Sequence, residues 1–179
     1  MYKILLLFLL ILCTNEDEIN IRLDSEITPG TEFTFENDIL TITNAGTYTI
    51  SGSSISVKSL IISSTPVTIN LKSVSLTSTG KKTPLIISRN CEVTLNIIEK
   101  SSFKDTNENE KDGVIYMEKS SKLTIISEDI SEDNEMTSIF LIPYKGMGIY
   151  GEESTNLNIN GNIFINNDEG DLYRWDLYW

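Results

Sequence analysis

The chain contains no histidine. That excludes Ser-His-Asp and Cys-His catalysis, and with them every histidine-ligated metal site. Cysteine is nearly as scarce. Cys13 closes an apolar leader, so Cys91 stands alone in the body of the chain and no internal disulfide can form. With no base to activate it, Cys91 reads as a structural thiol rather than a nucleophile. A domain without disulfides must rely on core burial, metal or stacking. There is no Asn-x-Ser/Thr sequon despite abundant asparagine, which gives no support for N-glycosylation. Helix signals are also missing. No apolar period of 3.6 appears, and Ile, Thr and Asn are abundant.

One long apolar run exists, and it is at the start. Lys3 is followed by ILLLFLLIL, residues 4–12, then Cys13. A basic residue before an apolar run of this length reads as a secretion signal, residues 1–13, cleaved near Cys13 or Thr14. It is too short to span a bilayer, and no second run could anchor the chain in one. The expected location is secreted or cell-surface, with no membrane insertion after cleavage.

Positive charge is in deficit. The chain has 14 basic and 26 acidic residues. Removal of the leader takes away only Lys3 and leaves a net charge of −13. Such a surface repels nucleic acid and anionic lipid and attracts cations. Nucleic acid is therefore excluded as a partner.

What is present is repetition. The stretch VTINL, residues 67–71, returns as VTLNI at 93–97, as LTII at 123–126 and as LNIN at 157–160. Val67, Ile69 and Leu71 align with Val93, Leu95 and Ile97, then with Leu123 and Ile125, then with Leu157 and Ile159. Strict alternation buries one face. The copies lie 26, 30 and 34 residues apart, counted from Val67 to Val93 to Leu123 to Leu157. A second series precedes the last three copies: PLIIS from Pro84, GVIYM from Gly113 and GMGIY from Gly146, with Ile86, Ile115 and Ile149 as its expected inward register. A third strand follows, as in SVSL after VTINLK and NIFI near the end. About three short strands per repeat, at a period of 20–50 residues, argue a solenoid with like strands stacked in parallel. Loops at 102–112 and 128–137 absorb the growing spacing. An antiparallel sandwich also needs many short strands, but leaves the recurring order unexplained.

The order of motifs carries a resemblance. ILTITNAGTYTISGS (residues 39–53) resembles the N-terminal segment of a secreted carbohydrate-binding β-helix family. The likeness continues through VTINLKSVSLTSTGKKTPLIIS, EVTLNIIEKSSFKD, DGVIYMEKSSKLTI and GIYGEESTNLNING, over roughly residues 37–167. It implies an all-β, right-handed parallel β-helix similar to that of pectate lyases. It also implies binding of plant cell-wall polysaccharide, including pectic ones, with calcium. Two departures stand out. MEKSSK follows VIY where the family tends to carry paired aspartates, and the family's later rungs are missing after NNDEGD, which suggests a truncated domain. The expected organisation is a lead-in or cap over 14–36, a β-helix over 37–170 and a tail over 171–179.

Three functions follow as expectations: non-catalytic polysaccharide binding, an adhesive surface solenoid that self-associates through strand edges, and a polysaccharide lyase. Pectic lyases need a strong base, often arginine. Outside the leader the chain has only Arg22, Arg89 and Arg174, and Arg89 sits in the turn SRNCE, where a solvated charge is the ordinary state. No acidic pair is singled out by spacing for glycoside hydrolysis. The acidic loops instead suggest calcium, which takes six to eight oxygens. The predicted ligands are Asp105, Asn107, Glu108, Asp112, Glu152, Glu153, Asp168 and Asp171. None of the clusters matches an EF-hand or a nonapeptide calcium repeat. The predicted carbohydrate-binding residues are Tyr116 and Tyr150. They follow Ile115 and Ile149, so they point outward and stack on adjacent rows, where aromatic faces suit sugar rings. Thr68, Thr94, Thr124 and Asn158 form a second outward column, read as like-on-like stacking that supports the ladder. The tail DLYRWDLYW breaks the pattern with Tyr173, Trp175, Tyr178 and Trp179, and is expected either to cap the open end or to stay disordered.

Overall fold

A computed structural model of the protein describes residues 18–106, 113–127, 137–144, 147–166 and 172–173. Among these residues the alternating segments, rich in Ile, Leu, Thr, Ser and Asn, form sixteen strands. They are β1 (Ile19–Arg22), β2 (Phe33–Glu36), β3 (Ile39–Ile42), β4 (Gly46–Ser53), β5 (Ser59–Ile62), β6 (Val67–Ser78), β7 (Leu85–Ile87), β8 (Glu92–Ile97), β9 (Ser101–Asp105), β10 (Ile115–Met117), β11 (Lys122–Ser127), β12 (Ser138–Ile142), β13 (Ile149–Gly151), β14 (Asn156–Asn160), β15 (Asn162–Asn166) and β16 (Leu172–Tyr173). No helix of the described residues is long and apolar enough to cross a membrane.

The pairing is almost all parallel and follows the sequence repeat. One ladder runs β3, β5, β7, β10, β13, with β2 antiparallel on its outer edge. A second runs β1, β4, the first half of β6, β8, β11, β14. A third runs from the second half of β6 through β9 and β12 to β15, where β16 pairs antiparallel. The twelve-residue β6 serves two ladders because it bends at Ser73, whose φ is +53°. β4 turns the same corner at Gly52, φ +85°, with a register shift beside it. β1 lies within the expected lead-in, yet it is already a member of the second ladder.

The registers expected from alternation are the ones observed in the second ladder. Val67 pairs with Val93, Val93 with Leu123, and Leu123 with Leu157. Ile69, Leu95, Ile125 and Ile159 form the next inward row. The first ladder contributes Leu40, Leu60, Leu85, Ile115 and Ile149. These inward rows meet in one apolar core, most of it fully excluded from solvent. Each buried Leu or Ile contributes about 1.5–3 kcal/mol. The last copies are less covered: Leu157, Ile159, Ile163 and Ile165 are half-buried, unlike their counterparts upstream.

One register differs from expectation. Leu85, not Ile86, pairs with Ile115 and points inward. Leu85 and Ile87 are fully buried, and Ile86 faces out. Three successive apolar residues offer alternation nothing to choose by, so pairing with the neighbouring strands decides which of them turn inward. In the other two copies the tyrosine after the isoleucine marks the outward face, and Ile115 and Ile149 point inward as expected.

The turns from the first ladder to the second also repeat. Asn90, Ser120 and Ser154 sit at φ 62°, 61° and 62°. Cys91, Ser121 and Thr155 each donate their backbone N–H to the carbonyl three residues back, at 3.1, 3.1 and 3.3 Å. A short polar side chain tolerates this left-handed conformation better than a branched one.

Candidate functional site

The outer face of the first ladder carries one continuous row. Thr41 pairs with Ile61, Ile61 with Ile86, Ile86 with Tyr116, and Tyr116 with Tyr150. All five are half-buried. Parallel neighbours lie about 4.8 Å apart, so like rings in register must stack. The rings of Tyr116 and Tyr150 do, with centroids 5.6 Å apart and planes within 9°. The two predicted carbohydrate-binding residues are therefore brought together.

The stack is anchored from the turn beyond it. Tyr116 donates its hydroxyl hydrogen to Glu152 Oε1 at 2.5 Å, and Glu152 Oε2 accepts the Lys119 N–H at 2.9 Å. One turn earlier, Glu118 Oε2 accepts the Arg89 N–H at 2.9 Å. Each carboxylate thus caps the turn of the preceding repeat. The Tyr116 bond, seconded by the Lys119 amide, holds the Glu152 carboxyl below its usual range. The same bond, reinforced by burial, pushes the Tyr116 phenol well above its ordinary value.

Because Tyr150 covers one face of the Tyr116 ring, the other face is turned toward the Ile86 row. A groove of 390 Å³ lies on that side, lined by Tyr116, Ile86, Ile61, Ile39, Lys81 and Lys82, with Ser59 and Thr83 in its wall. Ser59 Oγ donates to the Thr83 carbonyl at 2.5 Å and fastens that wall. The lysines enter from the turn after β6, where Gly80 and Lys81 both have φ 69°. Lys82 lies 3.7 Å from Asp38. An apolar floor, an aromatic end and a polar rim are the elements of a sugar-binding surface. The alternation expected from sequence turns Ile86 inward, away from this groove, and carries no signal for Ile61, Lys81 or Lys82. The signal for Ile86 was hidden by the register slip, and the lysines reach the groove only through the turn.

The predicted metal ligands do not converge where they are described. Asp105 points into the interior, 3% exposed, and accepts from Ser78 Oγ at 2.9 Å. Glu152 is engaged as above, and Glu153 pairs with Lys119 Nζ at 2.9 Å. Asn107, Glu108, Asp112, Asp168 and Asp171 lie outside the described residues. Among the described residues no group of three or more Asp, Glu, Cys or His gathers as a metal cage.

Other expected residues are placed as follows. Thr68, Thr94, Thr124 and Asn158 do form one outward row on the second ladder. Arg89 is exposed in its turn. Cys91 is 5% exposed, and burial, seconded by Glu118, pushes its thiol pKa up, as befits a structural residue. The aromatic tail's side chains lie outside the described residues, although the backbone of β16 pairs with β15. The outer surface carries a second aromatic pair. Phe140 and Phe164 stack at 4.9 Å on the third ladder, with Lys100 Nζ 4.6 Å from the Phe140 centroid. Its signal was the shared pattern of SIFLI and NIFIN.

A family model of carbohydrate-binding domain-containing proteins matches residues 36–128, just over half of the chain. The chain belongs to that family. Neither a curated protein nor a solved structure matches it. Membership makes carbohydrate the ligand class. The matched stretch runs from the end of β2 through β11 and so contains the groove and Tyr116. Tyr150 and Glu152, which brace Tyr116, lie beyond it.

Proposed function

We propose that this chain is a non-catalytic binding module for extracellular polysaccharide, and that the groove beside Tyr116 receives the sugar. The observation that carries this is the juxtaposition of a braced tyrosine face with an apolar floor and a polar rim, within the family-matched stretch. A ring held by Tyr150 and Glu152 loses little freedom when a sugar settles on it, which favours binding. The architectural proposal is a parallel β-helix. The strand triplets β7-β8-β9, β10-β11-β12 and β13-β14-β15 recur in one order, and each strand pairs in register with its counterpart in the next triplet. That order is what coiling one sheet around the core would produce.

Calcium enters as the variant suited to acidic glycans. A cation bridging two carboxylates would offset the negative charge of the protein. The described residues do not assemble a cage for it, so no step of binding is assigned to it.

The test is retention of the protein, freed of residues 1–13, on a panel of pectic and neutral polysaccharides, with calcium and with EDTA. Tyr116→Ala is expected to weaken retention at least about tenfold. Loss in EDTA would give calcium a role. No retention of folded protein on any polysaccharide would overturn the binding reading and favour the self-associating surface protein. Release of unsaturated uronide would make it a lyase.

A further inference from the structure

A second face of the molecule carries a larger and chemically different depression. It is a cleft of 700 Å³ on the outer side of the second ladder, running to the corner at Gly52 and Ser73. Two outward rows line it. Asn20 pairs with Thr49 and Thr49 with Asn70, while Arg22 pairs with Ser51 and Ser51 with Lys72. Glu18 stands at one end, and Ile98 and Glu99 stand at the other.

The side chains of the cleft are linked to one another. Glu18 Oε1 accepts from Asn70 Nδ2 at 2.9 Å and from the Thr49 hydroxyl. Asn70 Oδ1 accepts from Asn96 Nδ2 at 3.2 Å, which ties the cleft to the next strand. Arg22 forks onto Asp24, with Nε to Oδ1 at 3.2 Å and Nη2 to Oδ2 at 3.0 Å. Asp24 can reach that position because residue 52 is glycine. A Cβ there would come within 2.8 Å of Asp24 Cγ. Lys72 Nζ is 3.7 Å from Glu99 Oε1. These bonds leave Glu18 Oε2, Asn20 Oδ1, Arg22 Nη1 and the Ser51 hydroxyl aimed at no partner among the described residues.

Charge decides the ligand class. Both cations of the cleft already have a carboxylate, and the remaining carboxylate, Glu18, holds an amide and a hydroxyl. An anion would have to compete with Asp24 and Glu99, and a cation with Arg22 and Lys72. A neutral, hydroxyl-rich ligand meets alternating donors and acceptors instead. The rows step about 4.8 Å per strand, close to the length of one pyranose, so the cleft suits a short run of sugars laid across the strands.

We infer that this cleft is a second carbohydrate site, for neutral oligosaccharide, separate from the groove at Tyr116. One molecule would then hold two glycan chains on different faces. The inference does not rest on the tyrosine groove being a site.

The experiment is an amide NMR titration of the chain freed of residues 1–13 with cellohexaose, xylohexaose and mannohexaose. At least one is expected to shift Thr49, Ser51, Asn70 and Lys72. The Asn20→Ala/Arg22→Ala variant is expected to weaken those shifts at least about tenfold. Ser51→Gln, which fills the cleft without deleting a contact, should block them and keeps the test valid if the double variant fails to fold. Tyr116→Ala should leave them intact. Absence of shifts on this face with all three sugars would overturn the inference. So would shifts that survive Ser51→Gln or that vanish with Tyr116→Ala.

Discussion

Tyr116 joins three relations in one side chain: a stack with Tyr150, a hydrogen bond to Glu152 and a wall of the groove. They can be separated. Tyr116→Phe keeps the ring and deletes the hydroxyl. It should retain most of the polysaccharide binding that Tyr116→Ala loses, while lowering the melting temperature slightly because Glu152 loses a donor. Equal loss of binding in both variants would mean that the hydroxyl, not the ring face, meets the sugar. The outward placement of both tyrosines is legible because each directly follows an isoleucine and carries a polar hydroxyl, so alternation turns it to the outer face. That of Ile86 is not, because Leu85, Ile86 and Ile87 are equally apolar and only pairing with Ile115 decides which of them turns inward.

The elements show where sequence stops informing. Alternation at Val67, Val93, Leu123 and Leu157 was enough to set the second ladder, since burial of one face allows a single register. The turns between ladders were much less visible. Asn90, Ser120 and Ser154 share a left-handed conformation, yet nothing in SRNC, EKSS and EEST declares it. Ser120→Gly should therefore raise stability by up to about 1 kcal/mol, because glycine adopts this conformation without strain. Ser120→Val should lower it by about 1–2 kcal/mol through the clash of its branched Cβ. Urea unfolding midpoints measure both, and a valine variant as stable as the parent would refute the turn assignment. The capping carboxylates were likewise invisible, since Glu118 and Glu152 act on amides 29 and 33 residues earlier. Read from sequence, Glu152 was a metal ligand. Its lowered pKa, caused first by Tyr116 and then by the Lys119 amide, has a definite sign. A carboxyl acidified by folding stabilises the fold above its ordinary pKa of 4.5 and loses that contribution as pH falls through the lower, folded value. Glu152→Gln should consequently show a shallower fall in melting temperature between pH 5 and pH 3 than the parent, with pH values chosen around about the carboxylate range. An unchanged slope would remove Glu152 from the acid response.

At the scale of the whole molecule, charge and site disagree, and the disagreement can be measured. The chain carries a net charge of −12, yet the groove beside Tyr116 is lined by two lysines and no carboxylate. A polyanionic glycan approaching from a distance meets the summed negative field first. Screening shortens that field from about 30 Å at 0.01 M salt to about 10 Å at 0.1 M. Contacts within the groove act over a few ångströms and are screened less. Binding of polygalacturonate without calcium should therefore strengthen as salt rises over this range. Binding of a neutral glycan, which feels neither effect, should stay nearly constant. Isothermal titration at several salt concentrations reads the sign directly. If acidic-glycan binding weakens with salt instead, Lys81 and Lys82 govern the encounter, and charge reversal at those two positions should abolish it. If it strengthens, the net charge acts as a barrier to acidic chains, and calcium would be expected to lower that barrier in the same direction as salt but at far lower concentration, because a bound divalent ion cancels charge where the two surfaces meet.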